Sequence, residues 1–186
     1  FDVPDDLESV PDDLAPEDRW LLAEFQQTMH TVKEAWSNLD IYTATQALKT
    51  FGTGLLPSHY LEMVKSRLYD DDGAAAWTLH RTVRDFMAAF SPVCPFFTHH
   101  ISSTVYGSSA VDVDAFPAPA LGEVDHGTEE GARLCALSHD LQEFNGQTWA
   151  AKKERGISLN QPIEGIAVPE ELAEFEATLT RMHQLS

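Results

Sequence analysis

The fold is decided by three neighbouring stretches, YLEMVKSRL at residues 60–68, RTVRDFMAAF at 81–90 and SPVCPFFTHHISSTVYG at 91–107. Between residues 76 and 90 the apolar side chains recur at intervals of three and four, which predicts one face of an amphipathic helix. The members of that face are Ala76, Leu79, Val83, Phe86, Met87 and Phe90. The first stretch has the same spacing, so two consecutive amphipathic helices are expected.

A corner with two prolines separates these helices from a shorter third one. Ser91-Pro92 ends the longer helix, because proline lacks an amide donor and pushes its predecessor out of the helical region. Pro95 suits the first turn of the next helix, and Gly107 closes it. The predicted inner face of this short helix is Phe97, Ile101 and Val105.

Upstream, a first long helix is predicted from about Pro16 to Leu39, with an apolar stripe in steps of three and four. The stripe is Leu21, Phe25, Met29, Val32, Trp36 and Leu39. Asp40 caps a second helix, whose predicted face is Ile41, Ala44, Leu48 and Phe51. The stretch GTGLLPSH at 52–59 predicts an interruption, because glycine and proline are the poorest helix formers.

Downstream, residues 108–127 are rich in Pro, Gly and Ala and are predicted to be irregular. One long helix is expected from Thr128 to Gly156, with acids in its first turn and a stripe of Leu134, Leu137, Leu141 and Phe144. Residues 157–168 predict a turn and a short strand. A last helix begins at Pro169, with Leu172, Phe175, Leu179 and Met182 on its apolar face.

The predicted fold is therefore all-α, and three segments are expected. Residues 1–17 form an entry or linker segment, and residues 18–118 form an antiparallel helical bundle. Residues 119–186 form a small C-terminal appendage, helix–strand–helix in order, which the end of the sequence truncates.

The composition is strongly acidic. Twelve Lys and Arg against thirty Asp and Glu give a formal net charge of −18. The acids are spread along periodic helices, which argues against a disordered acidic tail. Lysine is scarce, with five in the chain, so the surface is typical of a high-salt cytoplasm and a halophilic source is expected.

Several functional classes find no support in the sequence. There is no G-x-S-x-G, P-loop or G-x-G-x-x-G motif, and the histidines lack the spacing of metal ligands. Cys94 and Cys135 are expected as reduced thiols. No metal, catalytic residue or cofactor is therefore expected in this chain. No run approaches the ~20 apolar residues of a membrane span, and no signal peptide is found. A cytoplasmic location and a piece of a longer protein are expected.

A family resemblance lies in these motifs. Tyr60-Leu61-Glu62 followed by Lys65 resembles the Y-L-E-x-x-K sequence in the anticodon-binding domain of class I aminoacyl-tRNA synthetases. Pro92-x-x-Pro95-Phe96-x-Thr98, with Phe116-Pro117, resembles that domain's H-P-x-x-P-F-x-T-E-E and closing W-P. The segment Lys152 to Ile163 resembles R-x-x-K-x-x-x-G-I-x-L-x-x-P. The pattern covers nearly everything from Arg19 to Ile163 and is most similar to the valyl enzymes, with isoleucyl and leucyl enzymes next.

Five positions depart from the family pattern. His99 and His100 stand in place of a glutamate pair, and Phe116 stands in place of tryptophan. Ser91 replaces histidine. Trp149 replaces an arginine, which removes one basic group from the C-terminal segment.

The resemblance implies a region that binds the anticodon stem and loop of tRNA, within a parent enzyme that attaches valine to its tRNA using ATP. The H-I-G-H and K-M-S-K-S motifs of such enzymes are not found in this sequence. The catalytic part, its ATP site and the editing domain are therefore expected elsewhere in the parent chain, and this region is expected to be inactive alone. Two alternatives remain open, the same region of an isoleucyl or leucyl enzyme and an acidic helical module that binds a protein.

Six residues are predicted to bind tRNA: Arg19, Trp20, Lys65, Arg67, Lys152 and Arg155. Arg19-Trp20 matches the D-R-aromatic start of the first bundle helix, and an arginine beside an aromatic ring can stack on unpaired bases. The other four supply positive charge for phosphates. Each cation can equally balance nearby acids, and Trp20 can instead cover the end of the bundle.

Overall fold

The computed structural model describes residues 2–108, 116–117 and 121–186. Within these ranges the chain is helical, with one isolated parallel β-bridge between Ile163 and Leu185. The α-helices are α1 (Pro16–Ser37), α2 (Ile41–Thr50), α3 (Leu61–Tyr69), α4 (Gly73–Phe90), α5 (Pro95–Val105), α6 (Glu129–Ala136), α7 (Ser138–Glu154) and α8 (Glu176–His183). The predicted all-α fold is confirmed.

Helix α1 is the centre of the bundle, in contact with α2, α4 and α6. Its predicted stripe is correct over most of its length, since Leu21, Phe25, Met29 and Val32 are buried. Leu39 is the exception: the helix ends at Ser37, Leu39 takes a left-handed backbone conformation with φ +59°, and its side chain is 84% exposed. Asp40 then caps α2 as predicted, by accepting a hydrogen bond from the amide of Thr43.

The predicted interruption at 52–59 is wrong. A π-helical segment (Phe51–Tyr60) joins α2 to α3, so the chain is helical without a break from Ile41 to Tyr69. Tertiary packing overrides the low helix propensity here, because Phe51, Leu55, Leu56 and Tyr60 are all buried. We call this continuous element the α2–π–α3 rod.

Gly52 permits close packing within the rod instead of breaking it. A Cβ at this position would lie 2.6 Å from Cζ of Phe86 on α4. The Phe86 ring stacks on Phe51 with centroids 6.0 Å apart, and Phe51 in turn meets Phe25 of α1 at 5.3 Å. A row of three contacting rings, Phe86, Phe51 and Phe25, therefore connects α4 to α1 beside Gly52.

The buried face of α4 differs from the predicted stripe. Of the six predicted positions Phe86 is buried and the other five are half-buried, whereas Thr78 and Thr82 are fully buried. The N-terminal segment lies across this helix and covers polar residues: Arg81 pairs with Asp85 at 2.7 Å and donates to the carbonyl of Leu7. Periodicity alone cannot reveal such a covering segment.

The predicted inner face of α5 is also wrong. Phe97 is 55% exposed and Val105 42%, while the buried positions are Thr98 and Ser102. Small side chains suit a close approach of α5 to α4, and the Thr98 hydroxyl is satisfied by donating to the Cys94 carbonyl at 3.0 Å. A buried hydroxyl with a partner carries little penalty.

The C-terminal part follows the prediction with two differences. The long helix is divided at Leu137 into α6 and α7, although its apolar stripe is buried or half-buried as expected. The predicted short strand is reduced to the single bridge at Ile163. The last helix starts with a 3₁₀ turn (Glu170–Phe175) before α8, and another 3₁₀ turn spans Gly122–Val124.

Three further predictions concern the irregular segment, the domain boundaries and membrane spans. Much of the predicted irregular segment 108–127 lies outside the described residues. The division at 17/18 and 118/119 stays a prediction. Among the described residues, no helix combines the length and the apolar character that crossing a bilayer requires.

We predict that Gly52→Ala destabilises the chain by about 1–3 kcal/mol, the usual cost of overpacking a core. The added methyl group would overlap the Phe86 ring, which is held on both sides by other aromatic rings. Urea unfolding followed by circular dichroism measures the loss. Gly54→Ala is the matched control, because nothing lies within 4 Å of its Cβ position. Equal stability of the two variants would contradict the packing account.

Candidate functional site

The guanidinium of Arg67 is surrounded by acids at one end of the bundle. Its Nη1 lies 3.0 Å from Glu17, its Nη2 2.8 Å from Asp18 and its Nε 2.8 Å from Asp72. Glu17 and Asp18 are buried at the start of α1, and Asp72 caps α4 by accepting from the Ala75 amide. We call these residues, with Tyr60, the Arg67 cluster.

Tyr60 completes the Arg67 cluster from the α2–π–α3 rod. Its hydroxyl donates to Asp18 at 2.8 Å, and the side chain is fully buried. Burial, and next the charge of Asp18, raise the pKa of Tyr60 well above its usual range. Burial alone would raise the pKa of Asp72, but hydrogen bonds from Arg67 and the Ala75 amide outweigh it, so the pKa is lowered. The Arg67 cluster is thus an internal ionic network.

Trp20 lies in the core. It is 0% exposed, and its indole N–H donates to the Ser138 hydroxyl at 2.7 Å. That hydroxyl donates in turn to Glu24, so one hydrogen-bond chain ties α1 to the start of α7. This placement fits the alternative in which Trp20 packs against the bundle better than it fits stacking on a base.

Lys152 is buried beside the turn that follows α7. Its ammonium donates to the carbonyls of Leu159 at 2.7 Å and Gln161 at 2.8 Å, and burial lowers its pKa. Gly156, at φ +67°, reverses the chain between them. Lys152 therefore holds the segment that leads to the Ile163 bridge.

The other three predicted residues are accessible. Arg19 is one-third exposed and pairs with Glu130 at 2.6 Å, and Lys65 is half-exposed near Glu62 at 3.7 Å. Arg155 is exposed and donates to the Glu164 carbonyl at 2.9 Å. Arg19 lies on α1, Lys65 on α3 and Arg155 directly after α7, and within the described residues no hydrogen bond or ion pair joins them. For them, contact with tRNA stays a prediction.

In the described structure the side chains of Trp20 and Lys152 are fully buried and that of Arg67 is 11% exposed. Their contact with tRNA stays a prediction. The sequence predicts them as tRNA contacts, whereas the hydrogen-bond partners found in the structure lie within the chain. Arginine and lysine at a helix end are compatible with phosphate binding and with an internal clamp alike. Only the positions of the surrounding acids and carbonyls decide between the two roles.

The opposite end of the bundle carries an exposed apolar corner. Leu39, Ile41 and Tyr42 are 84%, 61% and 75% exposed. Sequence reasoning missed this corner, since Leu39 and Ile41 fit the periodicity of buried stripes. The left-handed backbone of Leu39 turns the chain between α1 and α2 and directs these side chains outward.

Next to this corner lies a groove between α1 and α2 with a volume of about 380 Å³. Many of its lining residues carry hydroxyl or amide groups, but most of the surface that it exposes is apolar, and Glu24 is the charged residue among them. Its lining residues include Gln27, Thr28, Tyr42, Gln46, Phe51 and Leu55. We call it the α1–α2 groove.

A line of polar side chains connects the α2–π–α3 rod to the C-terminal helices. Asn145 contacts Nδ1 of His59 at 3.1 Å and Nε2 of His183 at 2.7 Å. His183 is buried, and desolvation together with the charge of Lys152 lowers its pKa to about 4. His183 is therefore neutral at pH 7.

Few described residues are arranged to hold a metal ion. His139, Asp140 and Glu143 bring ligand atoms within 4.8 Å of one another on α7. All three are exposed, and exposed acidic groups at helical spacing are common on an acidic surface. We assign no metal site to these three residues.

Comparison with known proteins confirms the resemblance found in the motifs. A family model described as the anticodon-binding domain of tRNA ligase matches residues 18–167. The chain is 33% identical over 182 residues to a valine–tRNA ligase of Pyrobaculum aerophilum, covering 93% of this chain and 22% of that protein. It is 30% identical over 147 residues to that of Saccharolobus solfataricus, covering 78% and 17%. The chain thus spans about a fifth of the length of the curated relatives it matches.

We predict that Arg67→Met costs about 3–5 kcal/mol of unfolding free energy, the usual loss when one member of a buried ion pair is removed. The variant leaves Glu17 and Asp18 buried without their counter-charge. Arg133→Met is the matched control: Arg133 also pairs with two acids, Glu130 and Glu174, but is 45% exposed. Exposed pairs contribute about 0–1 kcal/mol. Similar losses in urea unfolding would show that the Arg67 cluster is not a special constraint.

We predict that His183 makes stability fall as pH decreases from about 6.5 to about 4. Its pKa in the folded chain is about 4, against 6.5 for a histidine exposed to water, so the unfolded chain binds more protons in this window. The contribution is up to about 3 kcal/mol. His183→Gln should flatten the slope of unfolding free energy against pH, whereas His139→Gln, at an exposed position, should keep it. A slope unchanged in His183→Gln would contradict the assignment.

Proposed function

The chain belongs to the family of anticodon-binding domains of tRNA ligases, and on that premise we propose that it is the tRNA-binding helical region of a valine–tRNA ligase. The observation that carries the proposal is the similarity to valine–tRNA ligases along 93% of the chain. The parent enzyme would attach valine to its tRNA using ATP, in the cytoplasm. Its catalytic and editing domains would lie in other parts of the same polypeptide.

The role proposed for this region is to hold the anticodon stem and loop. The continuous α2–π–α3 rod packed along α1 gives a stiff support, and a stiff support suits recognition of a folded RNA by shape. Of the predicted contacts, Arg19, Lys65 and Arg155 are accessible for phosphates. With −18 formal charges, the surface as a whole repels RNA, so binding would depend on local contacts.

Fluorescence anisotropy with a labelled anticodon stem–loop of valine tRNA tests the proposal. A stem–loop with altered anticodon bases and the same charge is the control ligand, and we expect it to bind at least roughly fivefold more weakly, the equivalent of one lost base contact. Equal affinity for both RNAs, or no binding to either, would contradict the proposal.

A second measurement separates this region from its proposed parent. Valine-dependent exchange of pyrophosphate into ATP should not exceed the blank, because the motifs that bind ATP in such ligases are not found in the sequence. Turnover by the purified chain would contradict a purely RNA-binding role.

We further propose that the acidic surface is an adaptation to high salt, and predict that stability rises steeply with KCl. Self-repulsion of −18 charges opposes the compact state at low ionic strength. The screening length falls from about 10 Å at ~0.1 M to about 3 Å at ~1 M salt. RNA affinity should stay flat or rise over this range, against the usual fall from counterion release.

A KCl series that follows helical circular dichroism and stem–loop binding together measures both slopes. A chain already fully folded at ~0.1 M, with an affinity that falls steadily above it, would contradict the salt account. The family assignment rests on sequence similarity and would survive that outcome.

A further inference from the structure

We propose that the exposed face of α5 is a docking surface for an uncharged, apolar face on another domain of the parent polypeptide, with Phe96 as its central side chain. The inference rests on the proposed function, which supplies the parent. It adds to that function a contact through which this region would be held within the enzyme.

The described chain covers α5 along one edge only. Thr98 and Ser102 are buried, whereas Phe96 is 91% exposed, Phe97 55% and Val105 42%. Among the described residues, no other large apolar side chain is as exposed as Phe96. Adjacent exposed aromatic rings on a folded chain mark a surface that contacts a partner.

The surface of α5 is also free of charge. Charged side chains make up 23% of the chain, yet residues 86–111, which include α5, contain no Asp, Glu, Lys or Arg. His99 and His100 take the positions of the glutamate pair in the family pattern, so those acids are missing as well. Burying an unpaired charge in a contact is costly. A helix without charge in a chain of net charge −18 is therefore suited to a dry contact.

α5 lacks the local features that stabilise a short helix. Its cap residue Cys94 makes no side-chain hydrogen bond to it, its first turn has no acid and its last turn has no base. Its residues are mainly aromatic, β-branched, serine or histidine, all of modest helix propensity. Packing on other elements supplies most of the stability of such a helix. α5 has 11 residues and buries two of them, so a further contact would stabilise it.

The occupant is assigned as protein because α5 offers nothing to phosphates. None of its 11 residues is Lys or Arg, and phosphate contacts supply a large part of the affinity for nucleic acids. The P-x-x-P-F-x-T motif that includes Phe96 resembles a pattern of class I synthetases in general, and their tRNAs carry different anticodons. A ring common to such enzymes suits a contact within the enzyme better than the reading of one anticodon.

The occupant is placed in the same polypeptide because this chain spans about a fifth of the length of its curated relatives. Most of a parent of that length is therefore available to meet α5. Two parts of one polypeptide meet at an effective concentration of about millimolar when the link between them is short. One exposed helix face is sufficient under this condition, whereas a separate protein would need a larger interface.

The test compares hydrogen exchange of the α5 amides in the 186-residue chain and in the tRNA-free parent, both in molar KCl. We expect exchange at least about tenfold slower in the parent, because docking suppresses the local opening of a weakly packed helix. Equal exchange in the two proteins would overturn the inference.

A single substitution identifies the face. Phe96→Ser in the parent should return α5 exchange towards the rate in the 186-residue chain. The same substitution in the 186-residue chain should leave the unfolding free energy unchanged, because the ring is exposed there. The matched control is Tyr69→Ser, which removes a ring that is 70% exposed at the other end of the α2–π–α3 rod. It should leave α5 exchange in the parent unchanged. Protection that survives Phe96→Ser would overturn the inference.

Other occupants would be detected in the 186-residue chain. A loss of stem–loop affinity of about fivefold or more in Phe96→Ser, the equivalent of one base–aromatic stack, would assign the face to RNA. A dimer in sedimentation velocity that Phe96→Ser dissociates would assign it to a second copy. Either result overturns the inference and leaves the tRNA-binding role in place. No stem–loop binding by the unmodified chain would overturn the proposed function and the inference that rests on it.

Discussion

The guanidinium of Arg67, whose side chain is 11% exposed, is the constraint on which the bundle depends. It joins the start of α1, the end of α3 and the start of α4 through hydrogen bonds of 2.8–3.0 Å to three carboxylates. Removing charges from water costs several kcal/mol per ion unless each is paired in good geometry. Because Asp18 also accepts from Tyr60, the ends of these helices have little freedom to shift without losing a bond.

A second constraint acts in the middle of the bundle. The π-helical segment keeps α2 and α3 in one rod, and Gly52 lets Phe86 of α4 lie against its backbone. π-Helices are rare. Most are single-turn bulges within α-helices, and many of these lie at functional sites. Here the segment also places Phe51 and Leu55 beneath the α1–α2 groove. The position of the groove therefore follows from packing between α4 and the rod.

The sequence predicted the elements better than it predicted their faces. The start of α1, the Asp40 cap and the reversal at Gly156 follow from local rules about capping and glycine, and the structure agrees. The predicted inner face of α5 is wrong, because apolar character alone does not show which side chains are buried. Close contact with α4 favours the small side chains of Thr98 and Ser102. The break at 52–59 was wrong because propensity is weak beside tertiary packing.

The predicted site residues, like the predicted helix faces, agree with the structure only in part. The sequence predicts Trp20, Arg67 and Lys152 as tRNA contacts, whereas each has a specific partner inside the chain. A basic residue in a chain with thirty acids has a high chance of meeting one of them. Sequence alone cannot separate such pairing from ligand binding, since the acids come from other segments. The exposed Leu39–Tyr42 corner escaped notice for the converse reason, because its residues are of types usually buried.

The acidic surface limits how such a domain can hold RNA. Most arginines are committed to carboxylates of the same chain, so few phosphate contacts remain, and each of these is weakened further by salt. Stacking and hydrogen bonding to unpaired bases are far less sensitive to ionic strength, because they involve no release of counterions. A chain with this charge would gain most of its RNA affinity from such contacts.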